Sequence, residues 1–231
     1  MQIAANYARL REEIPDHVTI VLAGKTRSVE EIVEVMDAGA TDLGENYVQE
    51  AEQMYVHLAE IAKAVKWHMI GHLQTNKINK ATGVFDVVQT VDSMKKAAAL
   101  DSRVERGQQK TLPVFIEINI GSEFAKAGIR PDEHKPFEPY MERLVTEMSE
   151  LSHIRIEGLM TMGPRFGDPE RNRPYFTRTR TLFERLANLD LPNVRMRYLS
   201  MGMTNSYRVA IEEGSNMVRL GTAVFGRRPR T

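Results

Sequence analysis

The sequence predicts an α/β protein: a single (β/α)8 barrel with an extra N-terminal helix. Three observations carry that prediction. Eight short β-rich runs recur along the chain, most of them separated by segments with helical periodicity, the alternation that parallel strands with right-handed crossovers produce. The chain has 231 residues, close to the roughly 250 of a typical barrel of this kind. No linker, low-complexity tract or internal repeat divides it, so residues 1–231 read as one domain. An open doubly wound sheet is the alternative; the count of eight runs and the length favour closure.

The elements follow in order. The opening stretch MQIAANYARLREEIP is polar and amphipathic, and it lacks the apolar segment of a signal peptide. The first run is VTIVLAGKT (18–26). After it, Val29, Ile32, Val33 and Met36 keep the i, i+3, i+4, i+7 spacing of a helix face. Ser28 and Glu31 have capping-box spacing at its start, and Gly39 closes it. TDLGEN (41–46) precedes a stripe of Val48, Ala51, Tyr55, Leu58, Ala59 and Ala62, read as one long helix. KWHMIGHL (66–73) leads into a short, weakly helical link over 74–83. VFDVVQTVD (84–92) and LPVFIEINIG (112–121) are the fourth and fifth runs, and the fifth is followed by a stripe of Met141, Leu144, Val145, Met148 and Leu151. IRIEGLMTMG (154–163) ends in the polar loop PRFGDPERNRP (164–174), before a helix carrying Leu182, Phe183, Leu186 and Leu189. RMRYLSMGMT (195–204) precedes a helix with Tyr207, Ala210 and Ile211 on one face. The eighth run, MVRLGTAVFG (217–226), breaks at Gly221-Thr222, and the basic tail RRPR (227–230) reads as a solvated end.

Composition excludes several classes of function. Acids and bases cancel at 31 each, which argues against a general nucleic-acid binder but leaves room for a local anion site. There is no cysteine, so disulfides, thiolate catalysis and cysteine metal sites are absent. No apolar run approaches the ~20 residues of a membrane span. The expectation is a soluble cytoplasmic protein that binds neither membrane nor nucleic acid.

In such barrels the active site lies at the C-terminal ends of the strands, and phosphate is often held by the loops after strands seven and eight. Those loops are Met203-Thr204-Asn205-Ser206 and Gly221-Thr222-Ala223. Both offer hydroxyls and backbone N–H groups, and Thr204 precedes a helix whose N-terminus favours an anion. Taken singly, Thr204 reads as a helix cap and Gly221 as a turn; their joint placement points to an anion site. Lys25 ends the first run, where a desolvated amine can attack a carbonyl to form a Schiff base; the plain alternative is a lysine reaching for solvent. Arg219 sits inside the apolar eighth run and must find an anion or an acceptor, with Glu45, Asp92 or Glu117 as candidate ion-pair partners. His68 and His72 are spaced i, i+4, but on a strand that separation is too long for one metal ion, so both read as structural or solvent-facing. The pairs Met160/Met162 and Met201/Met203 alternate as barrel-interior packing would.

With these residues in view, the chain resembles the YggS/PROSC group of pyridoxal 5′-phosphate (PLP) homeostasis proteins. The resemblance runs nearly end to end on AGKTRS, DLGENYVQE, WHMIGHLQTNK, VDS, LPVFIEIN, GLMTMGP, YLSMGMTNS and MVRLGTAVFG. It implies a fold-type III PLP-binding TIM barrel, like the N-terminal domain of alanine racemase, with the cofactor at its mouth. By motif match, Lys25 corresponds to the Schiff-base lysine. Thr204, Gly221 and Thr222 correspond to the phosphate cup, helped by backbone groups in Ser200, Met201 and the residues to Met203. Arg219 corresponds to the arginine facing the pyridine nitrogen, and Asn46 to a ring-side contact. A guanidinium has donors and no acceptor, so it keeps the ring nitrogen unprotonated and the ring a poorer electron sink. The chain departs from the family pattern at Thr204-Asn205-Ser206, where a serine and two acids are usual, and at AGKT, where V-S-K-T is usual.

The resemblance implies intracellular PLP (vitamin B6) homeostasis without robust turnover and no catalytic residue beyond the cofactor-binding set. It further implies a monomer, with apo PLP-dependent enzymes as candidate acceptors. Alanine racemase-like enzymes add a β-rich domain that supplies a catalytic tyrosine, and the expectation is that this protein has none; racemisation needs acid/base groups on both ring faces, and only Lys25 is named for one. The alternatives are a PLP-dependent racemase-like enzyme acting through Lys25, and a Schiff-base aldolase on a sugar phosphate.

Overall fold

The computed structural model describes residues 2–107, 111–123, 127–134, 136–164 and 166–227; the tail beyond Arg227 lies outside them. Eight parallel strands close into a barrel in sequence order: β1 (Thr19–Ala23), β2 (Asp42–Glu45), β3 (Lys66–Met69), β4 (Val87–Val91), β5 (Leu112–Glu117), β6 (Ile154–Met160), β7 (Val194–Met203) and β8 (Met217–Leu220). β8 returns to β1 with Val21 opposite Arg219. This is the (β/α)8 barrel expected from the alternation, and each strand falls within its predicted run or begins one residue before it.

The helices are α1 (Gln2–Glu13), α2 (Val29–Asp37), α3 (Val48–Leu58), α4 (Ile78–Ala81), α5 (Met94–Arg106), α6 (Phe137–Ser149), α7 (Arg173–Ala187), α8 (Tyr207–Glu212) and α9 (Thr222–Phe225). At α2 both bonds of the Ser28/Glu31 capping box form. α5 fills the fourth link and buries Ala97, Leu100 and Val104, one helical face. Two readings of the sequence are corrected. The long stripe after β2 is broken at Ala59, whose φ of 50° ends α3; a 3-10 turn over Ala59–Ala64 follows. That tighter turn presents the Ala62 carbonyl to the Trp67 indole N–H at 2.9 Å. The last residues of the eighth run are helix, not strand, because the Val224 and Phe225 N–H groups both turn back onto the Gly221 carbonyl.

Strand alternation separates two apolar regions. Val21, Ile70, Val87, Phe115, Met160 and Met217 fill the barrel interior, with Met162 and Tyr198 packed on them. Ile20, Leu22, Leu43, Val88 and Leu199 face outward into the layer shared with the helices. Each such fully buried aliphatic side chain contributes about 1.5–3 kcal/mol. Met160 and Met162 pack inside as expected. Met201 does not: it faces outward into the helix layer, because Ser200 takes the inward position. No helix among the described residues is long and apolar enough to cross a membrane.

Candidate functional site

Lys25 lies two residues past β1 and is half-buried. Its ammonium donates to the Tyr47 hydroxyl at 3.2 Å and sits 4.6 Å from the centre of that ring. The next residue, Thr26, has φ of 64°, an outlier for a β-branched residue. Gly24, just before the lysine, packs on Glu45: a Cβ there would meet Glu45 Oε1 at 2.6 Å, and the carboxyl would have to shift. The Glu45 carboxyl is buried and its pKa is pushed up to about 8, by desolvation first and the Glu50 charge second. One oxygen of each of these two carboxyls is buried without a hydrogen-bond partner. Beside them is a cavity of about 400 Å³ lined by Gly24, Arg27, Met54 and His57 among others.

Asn46 follows β2 and is fixed by close backbone packing: a Cβ on Gly71, just past β3, would fall 2.3 Å from the Asn46 carbonyl oxygen. Asn46, Tyr47, Gly71, His72 and Lys77 line a second cavity of about 440 Å³.

Arg219 is 5% exposed. Its Nη1 donates to Ser200 Oγ at 2.5 Å and its Nη2 to the Thr161 carbonyl at 2.7 Å. Among the described residues no carboxylate lies within ion-pair distance, so the candidate pairing with Glu45, Asp92 or Glu117 does not form. Asp92 is taken by Lys96 at 2.8 Å. Burial lowers the Arg219 pKa to about 10, against the opposing charge of Glu117. The Glu117 carboxyl rises to about 7, through desolvation and then Asp92, with Lys96 and Arg219 resisting. A buried guanidinium anchored only on neutral acceptors is suited to a ligand that accepts hydrogen bonds.

The two loops of the expected phosphate cup are joined, because Thr204 Oγ1 accepts from the Ala223 N–H at 3.2 Å. Asn205 Nδ2 donates to the Phe166 carbonyl at 3.1 Å, bringing in the loop after β6. Gly221 lies against Ala23 at the end of β1, where a Cβ would make a 3.4 Å contact, and Thr222 is exposed. Lys25, Asn46, Thr204, Arg219, Gly221 and Thr222 thus stand on adjoining strand ends. Ser200 lies deeper, its hydroxyl turned to Arg219 and to Gln89. The Met201 carbonyl accepts from Ser215 Oγ at 2.9 Å, and its side chain faces outward.

The two histidines part company. His72 is exposed, 3.8 Å from Asp92. His68 is buried between Asp42, 2.8 Å from Nε2, and Gln89, 2.9 Å from Nδ1. Burial pushes the Asp42 pKa up, but the hydrogen bond from His68, with Thr41 and Lys66 beside it, outweighs this and holds the carboxyl below its ordinary value. No cluster of metal-ligating side chains occurs among the described residues. Tyr47, Gln89 and Asp42 were given no role from sequence. Tyr47 carried a signal as an aromatic beside Asn46 at a strand end, and Gln89 as a polar residue two positions after the interior Val87.

A family model described as alanine racemase, N-terminal domain, matches residues 1–229. The chain is 37% identical to the pyridoxal phosphate homeostasis protein of Pasteurella multocida, over 99% of this chain and 98% of that one. It is 33% identical to the protein of the same name from Escherichia coli K12, over 98% and 97%. Among solved structures it is similar to PipY of Synechococcus elongatus PCC7942 with PLP bound, at 30% identity and a TM-score of 0.86, covering 97% of this chain and 100% of that one. An alanine racemase of Clostridium difficile aligns at 13% identity with a TM-score of 0.78, over 99% of this chain and 57% of that one, a likeness of fold alone.

Proposed function

The chain belongs to the family of pyridoxal phosphate homeostasis proteins, within the wider alanine racemase N-terminal-domain family, and from that premise we propose that it binds PLP at the barrel mouth and acts in PLP homeostasis without robust turnover. The observation that carries the reading is Arg219: a buried guanidinium with neutral anchors, a strand away from the half-buried Lys25.

The donor set fits PLP. Lysine, arginine and two threonines all donate, and PLP presents a phosphate and a ring nitrogen that accept. When bound, PLP supplies an aldehyde open to attack by an amine and a ring that withdraws electrons. Lys25 would be the amine that meets that aldehyde, and Tyr47 holds it in place. Thr204, Thr222 and the backbone of Gly221 would hold the phosphate, and Asn46 would meet the side of the ring. Arg219 would donate to the ring nitrogen; having no acceptor, it would keep a proton off that atom and so restrain carbanion chemistry. The whole chain acts as one PLP-binding domain, a cytoplasmic monomer, with PLP-dependent apoenzymes as acceptors.

The test is borohydride reduction in the presence of PLP, followed by peptide mass spectrometry. A reduced PLP adduct on the Lys25 peptide is expected; its absence there contradicts the reading. A racemase-like enzyme is the second reading, favoured by the titratable groups Tyr47 and Glu45 beside Lys25. Steady racemisation of an amino acid that vanishes in Lys25→Ala would select it.

A further inference from the structure

Five buried side chains form an unbroken polar line through the barrel interior, otherwise filled by residues such as Val87, Phe115 and Met217. Arg219 Nη1 donates to Ser200 Oγ at 2.5 Å. Ser200 Oγ donates to Gln89 Oε1 at 2.7 Å. Gln89 Nε2 lies 2.9 Å from His68 Nδ1, and His68 Nε2 lies 2.8 Å from Asp42 Oδ1. The residues come from β8, β7, β4, β3 and β2.

With one hydrogen on the His68 ring, the two ends fix the direction of every hydrogen. A guanidinium only donates, so Ser200 accepts from it and spends its own hydrogen on the Gln89 carbonyl. The Gln89 amide is then left with N–H groups to offer His68, so Nδ1 is the bare nitrogen. The imidazole hydrogen sits on Nε2 and points at the Asp42 carboxylate. Each bond donates away from Arg219 and toward Asp42, the arrangement in which neighbouring bonds polarise and strengthen one another. Turning the Gln89 amide over would take the carbonyl away from the Ser200 hydrogen and set it against Nδ1 of a ring whose one hydrogen is already held by Asp42.

We propose that Gln89 and His68 are positioning residues for Arg219: their one-way line, anchored on Asp42, keeps Ser200 an acceptor and so fixes the guanidinium's orientation at the barrel mouth. The proposal rests on reading Arg219 as the group that meets the ring nitrogen of PLP. Gln89 and His68 never touch the ligand; they act through Ser200.

The test has two parts. In the apo protein, a long-range proton–nitrogen correlation spectrum, assigned by comparison with His68→Gln, is expected to show His68 with Nδ1 bare and Nε2 protonated. The reverse tautomer, or a hydrogen on both ring nitrogens, overturns the proposal whatever happens to PLP, and needs no variant of Gln89 to fold. In the second part Gln89→Leu and the unaltered protein are titrated with PLP. The variant is expected to keep the reducible attachment at Lys25 but bind PLP about tenfold more weakly, with an altered balance between the near-ultraviolet and visible bands. Unchanged affinity and bands in Gln89→Leu, beside normal uptake by the unaltered protein, overturn the positioning role alone. No uptake by the unaltered protein overturns the reading beneath it.

Discussion

The Lys25 ammonium rests on Tyr47, 3.2 Å from its hydroxyl and 4.6 Å from its ring centre. The two residues follow neighbouring strands, so the barrel's own register brings the amine and the phenol together. The contact has two parts, a hydrogen bond and a cation over a ring face. Tyr47→Phe removes only the first and is expected to weaken PLP binding by about threefold or less, the range of one partly exposed hydrogen bond. Tyr47→Ala removes both and weakens it further. Titration of the two variants side by side checks the order.

Arg219 illustrates a site that costs stability. A buried charge with no ion-pair partner carries a desolvation cost that an apolar side chain of similar length does not. Arg219→Met is therefore expected to unfold at the same or a higher temperature than the unaltered apo protein, while binding PLP at least about tenfold more weakly. A large loss of thermal stability would show instead that the Ser200 and Thr161 contacts hold the barrel together.

Glu45 and Glu117 make stability depend on pH. Their folded pKa values, about 8 and about 7, lie above the ordinary 4.5. A carboxyl raised on folding keeps its proton where the unfolded chain has lost it. Its contribution is full below the unfolded value and is lost as pH rises through the folded value. Apo protein is expected to lose stability steadily from about pH 5 to about pH 8.5, and Glu45→Gln to flatten that slope. Urea midpoints across the range test this. Asp42, lowered on folding, runs the other way and weakens the protein as acid protonates it.

Gly71 and Asn46 interlock the ends of β3 and β2. Gly71→Ala forces a methyl group to 2.3 Å from the Asn46 carbonyl oxygen, an overlap with backbone that costs about 1–3 kcal/mol. Gly83→Ala, whose nearest contact would be 3.5 Å, is the control and should stay within about 0.5 kcal/mol. Denaturation of both variants, with PLP titration of the first, separates lost stability from a displaced Asn46.

The barrel was legible because eight β-rich runs alternate with helical spacing. It was misread where a local contact overrides the pattern, as at Ala59 and in the short helix after Gly221. Lys25 and Arg219 stood out in sequence because a cation in or beside an apolar strand needs a reason. The two loops proposed to hold phosphate stood out through their place after the last two strands. Asp42, His68, Gln89 and Ser200 were hidden as a group because each sits on a different strand, and only closure of the barrel lines them up. Tyr47 was hidden because its partner lies 22 residues earlier.

The central claim is that Lys25 holds PLP at a mouth whose floor is Arg219. The most direct measurement is the absorbance spectrum of the purified protein before and after adding PLP, beside Lys25→Ala. A visible band that forms in the first and is lost in the second is the predicted result. No band in either protein, or equal bands in both, would contradict the claim and leave a barrel with an anion site for another ligand.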